Sequence, residues 1–128
     1  MATTTPLPGR IRILVVDDDP SIVALLTEAL GDAGYEVVAA MGGAALALAR
    51  AVRPAVILLD LMMPAMDGAE VSRLLRADAA TARIPIIAMT ATPSLRTPGG
   101  PMLADDRLTK PFDLDRLYTL VARWATPP

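Results

Sequence analysis

Four short apolar runs constrain this chain more than any other feature: residues 11–16 (IRILVV), 35–40 (YEVVAA), 55–59 (AVILL) and 84–89 (IPIIAM). They are nearly continuous in apolar character, so each reads as a strand covered on both faces, the signature of a parallel sheet. The segments between them change period. In 21–33, Ile22, Leu25, Leu26, Ala29 and Leu30 recur at helical spacing, and 43–52 and 69–77 also read as helices. A weaker fifth strand is expected at 107–109. A last helix should follow Asp113, with Leu114, Leu117, Leu120, Val121 and Trp124 on one face. Strands alternating with helices predict βαβ units: an α/β, doubly wound sheet of five parallel strands with helices on both faces.

Local punctuation supports these boundaries. Asp19 followed by Pro20 reads as a helix N-cap with proline at the first helical position. Gly34 reads as a helix stop, and Pro54 as the end of the second helix. One region resists. Residues 91–106 (ATPSLRTPGGPMLADD) should hold the fourth helix, yet they contain Pro93, Pro98, Gly99, Gly100 and Pro101. An interior proline costs a helix about 3 kcal/mol and a glycine about 1. The fourth helix is therefore expected to be short or missing. At most one short turn should lie on either side of PGGP, with weak order over 93–103.

The ends of the runs carry the chemistry. Asp17, Asp18, Asp60, Thr90 and Lys110 each close or follow an expected strand. In an open α/β sheet, ligands bind outside the carboxyl ends of the strands. A single aspartate there is commonly a helix cap, the role assigned to Asp19. Five such residues on four strands point to a site. Like charges so close need an explanation, since two carboxylates about 4 Å apart repel by about 4 kcal/mol at an effective dielectric near 20. Asp17, Asp18 and Asp60 together would make an oxygen-lined cage for a cation. The chain has no cysteine and no histidine, so only oxygen donors remain, which favours magnesium, manganese or calcium. An aspartate carboxylate can also be a nucleophile that forms an aspartyl phosphate, with a lysine and a hydroxyl on the phosphoryl oxygens.

The stretches ILVVDDDP, ILLDLMMPAMDG, IPIIAMTA and LTKPF, in this order and spacing, resemble the receiver domain of two-component response regulators over nearly the whole chain, from about Arg10 to Trp124. The resemblance implies a flavodoxin-like sheet of order 2-1-3-4-5. It implies Asp17 and Asp18 as the magnesium-binding acidic pair, and Asp60 as phosphoacceptor and further ligand. Met62 would lend its backbone carbonyl to the metal, and Thr90 a hydroxyl that moves toward the phosphoryl group. Lys110 would be the family's lysine, followed by a cis Pro111. It implies a signalling phosphoacceptor, not an enzyme in the ordinary sense, that catalyses only its own phosphorylation and dephosphorylation. Its donor would be a sensor histidine kinase or histidine phosphotransfer protein, and its downstream target an unknown protein.

Two departures stand out. Arg107 occupies the position three before Lys110, where receivers usually carry Tyr or Phe. A guanidinium is costly to bury, so Arg107 is expected to stay outside and to pair with Asp105 or Asp106. The broken fourth helix alters the face that many receivers use for output. Met62, Met63 and Met66 are read as packing and backbone contributors rather than as a soft-metal stripe.

The 128 residues, 53% hydrophobic, suffice for one core. Residues 10–125 are expected to form one receiver domain, with flexible tails at 1–9 and 126–128. The net charge of −2 offers no reason to expect nucleic-acid binding, and no apolar run approaches membrane-spanning length. The expectation is a stand-alone cytoplasmic receiver, a monomer or weak dimer, acting through protein contacts. Two other readings remain. One is a degenerate receiver that binds partners without phosphate. The other is a phosphatase of the haloacid dehalogenase type, using Asp17 and Asp19 as a DxD pair and Asp105–Asp106 as a second acidic pair.

Overall fold

The structure, a computed structural model, describes residues 10–64 and 66–125; the expected tails at 1–9 and 126–128 lie outside the described residues. The elements run β1 (Arg12–Val16), α1 (Pro20–Asp32), β2 (Glu36–Ala40), a 3-10 turn (Gly42–Ala44), α2 (Ala45–Val52) and β3 (Val56–Asp60). They continue as α3 (Gly68–Ala77), β4 (Ile86–Thr90), β5 (Arg96–Thr97), β6 (Gly100–Pro101), β7 (Asp106–Thr109) and α4 (Leu114–Trp124). The five-stranded sheet has the order β2-β1-β3-β4-β7, and every pairing in it is parallel. This is the expected 2-1-3-4-5 order, with β7 in fifth place. Among the described residues, no helix is long and apolar enough to cross a membrane.

The central strands explain the continuous apolar runs. Every residue of β3 and β4 is buried, and side-chain alternation sends successive residues to opposite layers. Leu14, Val16, Ile57, Leu59 and Ile86 pack with Ala45, Ala49, Val71 and Leu75 of α2 and α3. Ile13, Val15, Leu58, Ile87 and Met89 pack with Leu26, Leu30, Leu117, Leu120 and Val121 of α1 and α4. Fully burying one such side chain stabilises the fold by about 1.5–3 kcal/mol. Two full layers thus hold the strand ends in fixed register.

The helix starts follow local chemistry. Asp19 caps α1, accepting from the Ser21 amide at 2.9 Å. Asp113 caps α4, accepting from the Arg116 amide at 2.7 Å. Asp67, not singled out from the sequence, caps α3 by accepting from the Ala69 amide at 2.8 Å.

Residues 91–106 correct one expectation. The fourth helix is missing, but the segment is not a loop with short turns. It folds into an antiparallel hairpin in which Arg96 faces Pro101 and Thr97 faces Gly100. The prolines that forbid a helix are tolerated at this short edge, and Gly100 takes φ +112° at the turn, where an L side chain would be strained.

Candidate functional site

The site lies at the carboxyl ends of the sheet. Asp17 leaves β1, Asp60 closes β3, Thr90 closes β4 and Lys110 follows β7. With Asp18 and Met62 they line one cleft of about 380 Å³. Asp17 is 3% exposed, Asp60 8% and Thr90 3%. The core layers therefore present these polar groups at the floor of the cleft.

The chain's single lysine answers the question of the clustered charges. Lys110 Nζ lies 3.2 Å from Asp17 Oδ2 and 3.1 Å from Asp60 Oδ1, bridging both carboxylates. Burial of Asp60, then the charge of Asp17, push the Asp60 carboxyl above its ordinary pKa, with Lys110 acting in the opposite sense. Burial works against the Lys110 ammonium. Its hydrogen bond and charge interaction with Asp60, followed by Asp17, nevertheless raise it above the ordinary lysine value. The Lys110–Pro111 peptide is cis.

The expected cage of three carboxylates is not drawn together. Among the described residues no group of three acidic side chains is gathered closely enough to hold an ion. Lys110 stands between Asp17 and Asp60, while Asp18 accepts a long hydrogen bond of 3.4 Å from the Gly42 amide. Thr90 lines the same cleft, but its hydroxyl is engaged locally. It donates to the Thr92 carbonyl at 2.8 Å and accepts from the Thr92 amide at 3.1 Å. The Met62 side chain points to solvent, and its backbone pairs with Asp67 across an antiparallel bridge. Met63 is buried beneath the loop, beside Gly42.

Gly68 closes this loop tightly. A Cβ there would lie 2.4 Å from the Asp60 carbonyl oxygen and 2.7 Å from that of Leu61. The first turn of α3 is thus seated on the backbone of the candidate acceptor, and only glycine permits the approach. Neither Asp67 nor Gly68 was singled out from the sequence. An aspartate just before the expected helix at 69–77 is a local signal for the cap, but the close contact of Gly68 with Asp60 has no local signature.

Arg107 is exposed, as expected, but its partner differs. Its guanidinium donates to the Pro93 carbonyl, and only its backbone amide meets Asp106, at 2.9 Å. Asp105 is taken by Arg76, which reaches it from α3. Asp106 accepts from the Trp124 indole at 3.0 Å and pairs with Arg123 at 3.4 Å. The neighbouring elements claim both acids first.

The same placements remove the phosphatase reading. Asp19 stands at the rim of the cleft, but it is exposed and its carboxylate is engaged by the Ser21 amide and hydroxyl as the cap of α1. Asp105 and Asp106 stand at the start of β7, where Asp105 accepts from the Ile86 amide that opens β4, at the end of the sheet opposite the cleft.

Comparison with known proteins agrees with this geometry. The model of the "Response regulator receiver domain" family matches residues 13–122. The chain is 43% identical over 113 residues to the "DNA-binding dual master transcriptional regulator RpaA" of Synechocystis, covering 86% of this chain and 47% of that protein. It is 46% identical to "Response regulator PleD" of Caulobacter vibrioides, covering 86% of this chain and 25% of that protein. The chain thus spans half or less of these curated relatives, and they lend no support to a stand-alone receiver. Among solved structures, chemotaxis protein CheY4 of Vibrio cholerae superposes with a TM-score of 0.80 at 34% identity, covering 91% of this chain and 99% of that one. The receiver domain of sensor histidine kinase PA1611 from Pseudomonas aeruginosa, described with a magnesium ion in its active-site cleft, gives 0.83 at 31% identity, covering 91% and 98%. The strand order, the acids and lysine at the strand ends and these likenesses lead to one conclusion: the chain belongs to the response regulator receiver domain family.

Proposed function

We propose that this domain is a phosphorylation-controlled switch that accepts a phosphoryl group on Asp60. The observation that carries this reading is Lys110 bridging Asp17 and Asp60 at the floor of the cleft. An Asp60 carboxylate oxygen attacks phosphorus, the donor's bond to phosphorus breaks, and the donor leaves with that electron pair. A phosphohistidine of a kinase or phosphotransfer protein, or a small acyl phosphate, is a donor of the right class. Lys110 is within reach of charge that develops on the phosphoryl oxygens, and the two acids beside it hold it charged against its partial burial. Water later attacks the acyl phosphate and regenerates the carboxylate.

Magnesium fits the donor set. Asp17, Asp18 and Asp60 against Lys110 leave two formal negative charges, all on oxygen, and Lys110 links Asp17 to Asp60. Asp17, Asp18, Asp60 and the Met62 carbonyl would hold the ion once Asp18 leaves the Gly42 amide and the acids draw together, since they are not gathered in this arrangement. When bound, it supplies charge neutralisation for the transferring phosphoryl group. Thr90 contributes its hydroxyl only after releasing Thr92.

The sign of the reading is tested by intact mass after acetyl phosphate and magnesium, on wild type and Asp60→Asn. One added phosphoryl group, lost without magnesium and in the variant, is expected. The engaged Thr90 hydroxyl and the outward Arg107 favour one rival, a receiver that signals without phosphate. No adduct, together with no binding of beryllofluoride, would establish that rival. Output is proposed to run through a protein target.

A further inference from the structure

The hairpin β5–β6 is held in place by the loop that carries the candidate phosphoacceptor. Asp67 Oδ1 accepts from the Thr97 hydroxyl at 2.6 Å, and Oδ2 accepts from the Gly99 amide at 3.0 Å. Arg73 of α3 adds a bond to the Gly99 carbonyl at 2.9 Å, and Ser72 accepts from the Leu103 amide at 2.9 Å. A hairpin with two residues per strand has little stability of its own, so these ties set its position. Gly99 has a matching reason to be glycine. A Cβ there would lie 2.9 Å from Asp67 Oδ2.

The other end of the tie reaches Asp60 without slack. Asp67 bridges Met62, Gly68 donates to the Leu61 carbonyl at 3.0 Å, and Gly68 is seated on the Asp60 backbone. A displacement of the backbone after Asp60 must therefore move Asp67, and Asp67 must move Thr97 and Gly99. At the other side of the cleft, the Thr90 hydroxyl is bound to Thr92 and Arg107 is held outside on Pro93.

We propose that Asp67 couples occupancy of Asp60 to the position of the hairpin, which takes the place of the missing fourth helix as the element that reports phosphorylation. The proposal rests on the phosphoacceptor reading above. It assigns Asp67 and Thr97 as positioning residues; neither touches the reacting atoms. The hairpin is then the surface on which the two states of the domain differ most.

The test is amide NMR of the whole chain with and without beryllofluoride and magnesium, with acetyl phosphate loading followed in parallel by intact mass. In wild type, the Gly99 and Gly100 amide signals should shift together with that of Leu61. Thr97→Val removes one of the two hairpin bonds to Asp67, together with the hydroxyl's bonds to the Gly99 amide and the Gly100 carbonyl, and leaves the cap of α3 intact. Each shift is therefore read as the difference between the free and beryllofluoride-bound forms of the same variant. It should retain the Leu61 shift and the mass adduct, while the Gly99 and Gly100 shifts fall to about half or less. Thr97→Ser, which keeps a hydroxyl, should restore them. Hairpin amides that stay still in loaded wild type, or that shift equally in Thr97→Val, overturn the coupling but leave the phosphoacceptor reading standing. Absence of the mass adduct and of every amide shift overturns both.

Discussion

Lys110 offers the sharpest test of how the acidic cleft is stabilised. Lys110→Met keeps the length of the side chain and removes the ammonium that lies 3.2 Å from Asp17 and 3.1 Å from Asp60. Both acids are almost fully buried, so the variant leaves two like charges without the cation between them. Removing one partner of a buried pair costs about 3–5 kcal/mol. The Lys110 side chain is 23% exposed, which places the expected loss toward the lower end, about 2–3 kcal/mol after allowance for solvent screening. Urea unfolding followed by the fluorescence of the single tryptophan, Trp124, measures it. Repulsion is the proposed cause, so the same substitution in an Asp17→Asn background should cost under about 1 kcal/mol. The pH dependence has a definite sign. Burial and Asp17 already raise the Asp60 carboxyl, and losing Lys110 removes an opposing influence. A carboxyl with a raised folded pKa destabilises above that pKa and ceases to do so as it protonates. The gap between variant and wild type should therefore narrow as pH falls from neutral toward the ordinary carboxyl range. Equal losses in the two backgrounds, or a gap that widens on acidification, would show that repulsion between Asp17 and Asp60 is not what Lys110 relieves.

Gly68→Ala forces a Cβ to within 2.4 Å of the Asp60 carbonyl, so thermal or urea unfolding should show a loss of at least about 2 kcal/mol, and intact mass should show slower loading by acetyl phosphate in the fraction that folds. Asp67 has a lowered carboxyl pKa; burial opposes the shift, but bonds from Thr97, Ala69 and Gly99 outweigh it. Its contribution is present above the ordinary carboxyl pKa and is lost as pH falls through the lower folded value. Hydrogen exchange at the Gly99 amide should accordingly accelerate in acid relative to core amides, and Asp67→Asn should remove that pH dependence. Arg107 is exposed and, among the described residues, its guanidinium is bonded to a loop carbonyl, so Arg107→Ala should change global stability by less than about 0.5–1 kcal/mol while raising exchange over 91–95.

Much of this site was legible because its residues sit at strand ends, and strand ends are marked by where apolar runs stop. Asp60 follows AVILL and Thr90 follows IPIIAM, so the burial pattern alone places both at one end of a parallel sheet. The helix caps Asp19 and Asp113 were legible for a related reason: a cap acts on an amide two or three residues away, within the reach of local sequence. The partners were not. Arg107 and its neighbours Asp105 and Asp106 are adjacent in the chain, which invited a local pairing. Asp105 instead belongs to Arg76, and Asp106 to Trp124 and Arg123, because packing of α3 and α4 decides the competition.

The segment containing PGGP shows the same limit from the other side. Its prolines and glycines ruled out a helix correctly, since each has a local cost in a helix. They carried no indication of what would replace it. A hairpin this short is held by Met102 in the core and by Asp67, Arg73 and Ser72, and these three polar partners lie more than twenty residues earlier, on the loop and helix that follow the candidate acceptor. Once that contact is known, the two glycines separate into different roles. Gly100 serves the turn through its positive φ, and Gly99 admits the Asp67 carboxylate. A substitution at Gly100 should then disturb the hairpin alone. A substitution at Gly99 should also disturb Asp67, and through it the start of α3 beside Asp60. The two adjacent glycines thus distinguish a hairpin that merely fills the gap left by a helix from one that is mechanically part of the acidic cleft.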